Sequence, residues 1–133
     1  MSKKISVMLI DDNKIDLFIH HELIRQMDIT HQIAEYPFAT EALKFLEEND
    51  GALWPDLILL DIHMPVMNGF DFLDKYALLP HESRKKCKVI AVSSSLDTGD
   101  KLRANENPMV LQLMEKPLNT GRLKSLLQSE QLI

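Results

Sequence analysis

The chain has 133 residues, 45% of them hydrophobic and 26% charged, and a formal charge of −5. This is the size of one domain that can bury a full core without covalent staples, and the ordinary composition excludes a disordered chain, a collagen-like fibre and a disulfide scaffold. Net negative charge argues against a general binder of nucleic acid or of anionic membranes, whose phosphates it would repel.

The lone cysteine, Cys87, cannot form an internal disulfide, which fits a reducing, cytoplasmic setting. From the amino terminus, Ile5 to Ile10 is nearly all apolar and reads as a strand buried on both faces. The run is too short for a signal-peptide core, and no stretch of the chain is long enough to span a bilayer. Asp12-Asn13 is a capping zone for a helix carrying Leu17, Ile19, Leu23, Ile24 and Met27 at helical spacing. His20 and His21 are expected on its polar side, and Phe18 in the core. Gln32 to Tyr36 reads as a weaker strand ended by Pro37. Thr40 is expected to cap a helix with Ala42, Leu43 and Leu46 inward.

Leu57 to Leu60 is a second fully apolar strand, ended by Asp61. Trp54, before Pro55, is expected to anchor the loop ahead of it. The turn Pro65–Gly69 leads into a helix with Phe70, Leu73 and Ala77 on one stripe, stopped by Pro80; Asn68-Gly69 is expected to supply positive φ in that turn. Val89 to Val92 is a third apolar strand, ended by Ser93. Asp97 to Asn107 reads as a short polar helix with Gly99 inside it, and its small apolar surface points to mobility. Val110 to Met114 reads as the last strand, ended by Lys116-Pro117, and Asn119 caps a final helix with Leu123, Leu126 and Leu127 inward.

Five strand-then-helix units imply right-handed parallel crossovers. The expected fold is a doubly wound α/β domain: a five-stranded parallel sheet in the flavodoxin-like order 2-1-3-4-5, with helices on both faces. In that order Asp11, Asp12, Asp61, Ser93 and Lys116 all open onto the carboxyl edge of the sheet. Clustered carboxylates repel unless a cation lies among them, and all-oxygen ligands favour a hard one such as Mg²⁺. Carboxylate, metal, ammonium and hydroxyl together equip a site for phosphoryl transfer to an aspartate, with Asp61 the natural acceptor.

These residues carry a resemblance. Leu9-Ile10-Asp11-Asp12-Asn13, Asp61-Ile62-His63-Met64-Pro65-Val66-Met67-Asn68-Gly69, Val89-Ile90-Ala91-Val92-Ser93-Ser94 and Met114-Glu115-Lys116-Pro117 follow in order along nearly the whole chain. In these elements it resembles the receiver domain of two-component response regulators. The resemblance implies that Asp61 accepts phosphate from a sensor histidine kinase or a histidine phosphotransfer protein. It implies Asp12, Asp61 and the main-chain carbonyl of His63 as Mg²⁺ ligands, with Asp11 acting through a bound water. Ser93 would bond the acyl phosphate, Lys116 would pair with a phosphate oxygen, and the Lys116–Pro117 bond would be cis. The His63 side chain, two residues beyond the acceptor, is expected to tune the lifetime of the phosphoaspartate.

Residues 1–133 are thus expected to form one receiver domain without an output domain. It would signal through a downstream protein target and would be no enzyme beyond its own phosphorylation and dephosphorylation. Leu113 stands where receivers usually carry an aromatic switch residue, so a ring-rotation switch is not expected. Three other readings stand beside this one. A phosphate-independent interaction module of the same fold would not need Mg²⁺. An aspartyl-phosphate hydrolase typically has a second aspartate where His63 stands, and a flavin carrier would want a first loop without Asp11-Asp12.

Overall fold

The structure, a computed structural model, describes residues 4–95 and 97–133. Five parallel strands, β1 (Ile5–Ile10), β2 (Thr30–Tyr36), β3 (Leu57–Asp61), β4 (Lys88–Ser93) and β5 (Gln112–Glu115), form one sheet in the order β2-β1-β3-β4-β5. This is the predicted order. It leaves β1, β3 and β4 in the interior, and their apolar residues divide by alternation between two cores. Met8, Ile10, Ile58, Leu60, Val89 and Ala91 face one core; Val7, Leu9, Leu57, Leu59, Ile90 and Val92 face the other.

The helices follow from the same division. On the first face lie α2 (Ala39–Glu48), α3 (Gly69–Tyr76) and α5 (Thr98–Glu106), contributing Leu43, Leu46, Phe70, Phe72, Leu73, Tyr76 and Ala104. On the second face lie α1 (Lys14–Gln26) and α6 (Thr120–Ser129), contributing Leu17, Ile24, Leu123 and Leu127. Asn13, Asn68, Asp97 and Asn119 cap α1, α3, α5 and α6 through side-chain oxygens, and Asn68 with Asp71 completes a capping box. Trp54 is buried, and its indole N–H donates to the carbonyls of Leu46 and Asn49, so it anchors the loop before β3 as expected.

Several local expectations are corrected. Thr40 caps nothing: it lies inside α2, whose N-cap position is Phe38, two residues earlier, without a side-chain cap bond. A short helix α4 (His81–Arg84) fills the segment after Pro80. β5 starts at Gln112 rather than Val110, because a turn in which Val110 N–H donates to Asn107 O occupies the preceding residues. Phe18 is exposed, not core, and His20 is buried rather than on the polar side of α1. Gly69 does not have positive φ. Val66 does, at 69°, whereas Gly69 is required by a close approach: a Cβ there would lie 2.6 Å from Ile62 Cα and 2.8 Å from Asp61 O. Among the described residues no helix is long and apolar enough to cross a membrane.

Candidate phosphoacceptor site

Strand register assembles the site. Ile10 pairs with Leu60, so Asp11 and Asp61 follow side by side at the carboxyl ends of β1 and β3. Ser93 pairs with Glu115, and Lys116 N–H donates to Ser93 O, which brings the lysine to the same edge. The Lys116–Pro117 bond is cis, as expected. Carboxylate oxygens of Asp11, Asp12 and Asp61 all lie within 4.8 Å of one another; Asp11 and Asp61 are buried and Asp12 is exposed.

Asp11 and Asp61 are held alike. Each uses Oδ1 to accept the backbone N–H two residues on, from Asn13 at 2.9 Å and from His63 at 3.1 Å. Each turns Oδ2 towards the Lys116 ammonium, at 2.6 Å for Asp11 and 3.6 Å for Asp61. The Asp11 contact lacks hydrogen-bond alignment, so its buried Oδ2 remains without an aligned donor. Burial, then the neighbouring Asp11 charge, pushes the Asp61 carboxyl up to about 6. Burial alone would lower the Lys116 ammonium, but the carboxylates of Asp11 and Asp16 beside it prevail and raise it.

Asp16, on the first turn of α1, is a site residue that sequence reasoning missed. Its carboxylate accepts a hydrogen bond from Lys116 Nζ at 2.9 Å. In the sequence it reads only as an acidic first-turn residue after the Asn13 cap, which any helix favours. One turn further, His20 is buried, and burial followed by the Lys116 charge holds its imidazole below the usual value.

Ser93 is fully buried, and its hydroxyl is closed on its own loop, donating to Ser95 O at 2.7 Å and accepting from Ser95 N–H at 3.1 Å. The His63 side chain leaves the pocket centre and meets Asp100 of α5, Nε2 to Oδ2 at 2.8 Å. Leu113 is half-buried against the first core.

The family profile described as "Response regulator receiver domain" matches residues 7–128. The chain belongs to the response regulator receiver domain family. Solved receivers similar to it include the response regulator receiver protein of Dyadobacter fermentans, 32% identical with a TM-score of 0.86 over 93% of this chain and 95% of that one. The two-component response regulator of Cytophaga hutchinsonii is 31% identical, with a TM-score of 0.87 over 96% of this chain and 97% of that one. Among curated relatives, the sensor histidine kinase CheAY of Helicobacter pylori is 32% identical over 84% of this chain. A protein-glutamate methylesterase/protein-glutamine glutaminase of Burkholderia pseudomallei is 29% identical over 77% of this chain. The match spans only 13% and 26% of the length of those two relatives, so what they share with this receiver domain is a module.

Proposed function

We propose that Asp61 accepts a phosphoryl group from the phosphohistidine of a sensor histidine kinase or a histidine phosphotransfer protein, with Mg²⁺, and that a downstream protein target reads the change. One observation carries this reading: a buried carboxylate at the end of the central strand, with two further carboxylates and one ammonium gathered around it.

The donor set fits a hard divalent cation. It offers carboxylate oxygens at close spacing, one of them buried without an aligned donor. Asp12, Asp61 and the main-chain carbonyl of His63 would hold Mg²⁺ directly, and Asp11 through a water. Once bound, the ion supplies positive charge against the carboxylates and the transferring oxygens. In the transfer, the bond from an Asp61 carboxylate oxygen to phosphorus forms while the phosphorus–nitrogen bond breaks, and the imidazole leaves with the electron pair. Lys116 pairs with an oxygen of the arriving group. Ser93 gives up its bonds to Ser95 for one to the acyl phosphate, which turns a local exchange of hydrogen bonds into a loop movement.

With Leu113 in place of an aromatic, the switch does not rest on ring rotation, and the polar helix α5, which buries only Ala104, is the element whose population phosphorylation would shift. The module acts in a cytoplasmic setting, a reading supported by its buried unpaired Cys87. Its net negative charge supports protein partners over nucleic acid or membrane surfaces. Incubation with acetyl phosphate and Mg²⁺, followed by intact mass, tests the acceptor and the metal together. A single phosphoryl adduct is expected on the wild type and none on Asp61→Asn or in EDTA. Absence of any adduct would favour a phosphate-independent interaction module.

A further inference from the structure

The Lys116 ammonium has three protons and three carboxylates before it, at unequal distances. Asp11 lies at 2.6 Å, Asp16 at 2.9 Å and the phosphoacceptor Asp61 at 3.6 Å. The lysine is thus drawn towards α1 and away from the residue that it serves in phosphoryl transfer. Asp11 belongs to the cation pocket already described. Asp16 does not: it lies outside the carboxylate cluster, on a helix, and only a quarter of its side chain is exposed (26%). The contact is an aligned hydrogen bond between ionised groups, and the lysine side chain is only 7% exposed, so water screens it little.

We infer that Asp16 is a positioning residue that parks Lys116 off the phosphoacceptor, so that phosphorylation of Asp61 draws the ammonium away from α1. The inference rests on the reading of Asp61 as the phosphoacceptor. Two effects of Asp16 act in the same direction. It competes with the incoming phosphoryl oxygens for the lysine, and it adds a fourth negative charge to a pocket that a dianion must enter. Both slow the arrival of the phosphoryl group and weaken its retention. Phosphorylation in turn leaves Asp16 without its lysine, so the first turn of α1 is linked to the state of Asp61.

The test follows the reaction with acetyl phosphate and Mg²⁺ by intact mass. The phosphorus–oxygen bond of the donor breaks as the bond from Asp61 forms, and acetate leaves with the electron pair. Asp16→Asn should speed phosphorylation by about three- to tenfold, which corresponds to about 0.7–1.4 kcal/mol, with no faster decay of the product. Asp16→Glu, which restores the carboxylate, should return the rate towards that of the wild type. In a Lys116→Gln background, followed over longer times, Asp16→Asn should give no acceleration, because Asp16 acts through the lysine. A purely structural role at the helix start would lower thermal stability and leave these rates alone. An Asp16→Asn rate at or below wild type would overturn the inference, as would equal acceleration without Lys116. If the wild type gains no phosphoryl group, or Asp61→Asn gains it equally, the phosphoacceptor reading itself fails and the inference with it.

Discussion

His63 Nε2 lies 2.8 Å from the Asp100 carboxylate and so joins the loop just beyond Asp61 to the first turn of α5. A second polar contact lies one turn on, where the Arg103 guanidinium stands 3.9 Å over the Phe70 ring. These contacts matter because α5 is polar and buries only Ala104. The helix is held by two clasps on the α3 side rather than by an apolar stripe, and one clasp starts beside the phosphoacceptor. Removing it with His63→Ala should raise amide exchange in residues 98–106 by about two- to fivefold, since a half-exposed pair of this kind contributes up to about 1 kcal/mol. Asp100→Ala should do the same without touching the loop. If His63 also tunes the phosphoaspartate lifetime, the decay rate changes in His63→Ala, and comparison with Asp100→Ala separates the ring's own effect from that of the helix.

The pH dependence of stability, measured without Mg²⁺, should expose the cost of burying Asp61 beside Asp11. Burial, then the Asp11 charge, raises the Asp61 carboxyl of the folded chain from the ordinary 3.8 to about 6. Between these values the folded state holds a proton that the unfolded chain has released, so stability is lost as pH rises through this window. Without Mg²⁺, the wild type should lose about 1–3 kcal/mol relative to Asp61→Asn between about pH 4 and about pH 8. Added Mg²⁺ should recover much of that loss in the wild type and little in the variant. Urea unfolding at each pH, with and without the ion, reads both.

Gly69 is a steric requirement of the site rather than a turn residue. Its Cα passes so close to β3 that an added Cβ would meet Ile62 Cα at 2.6 Å and Asp61 O at 2.8 Å, both backbone atoms that cannot rotate away. Gly69→Ala should therefore destabilise by about 2–3 kcal/mol and shift the acceptor strand end. The expected readout is a lower urea midpoint together with slower phosphorylation from acetyl phosphate.

Val66 adopts a left-handed φ of 69° with its side chain 98% exposed. A β-branched residue is strained there, and the exposed side chain gains no burial in return. Val66→Gly should stabilise by about 0.5–1 kcal/mol, the relief of strain exceeding the extra chain entropy of glycine. Thermal unfolding of the variant tests this directly.

Strand order, the two apolar cores and the edge on which Asp11, Asp12, Asp61, Ser93 and Lys116 meet were all legible in the sequence. Apolar runs of four to six residues bounded by turn signals are too short for buried helices and fit strands buried on both faces, and a parallel sheet of successive strand–helix units puts every strand's carboxyl end on one edge. What lay beyond sequence was the direction of side chains between elements. That Asp16 of α1 reaches Lys116 at the far end of the chain, that His63 turns to Asp100, that His20 is buried and Phe18 exposed, and that Val66 rather than Gly69 takes the positive φ depend on how helices sit against the sheet. Periodicity sets which stripe of a helix is apolar, but the rotation and depth of that stripe are decided only when neighbouring elements pack against it.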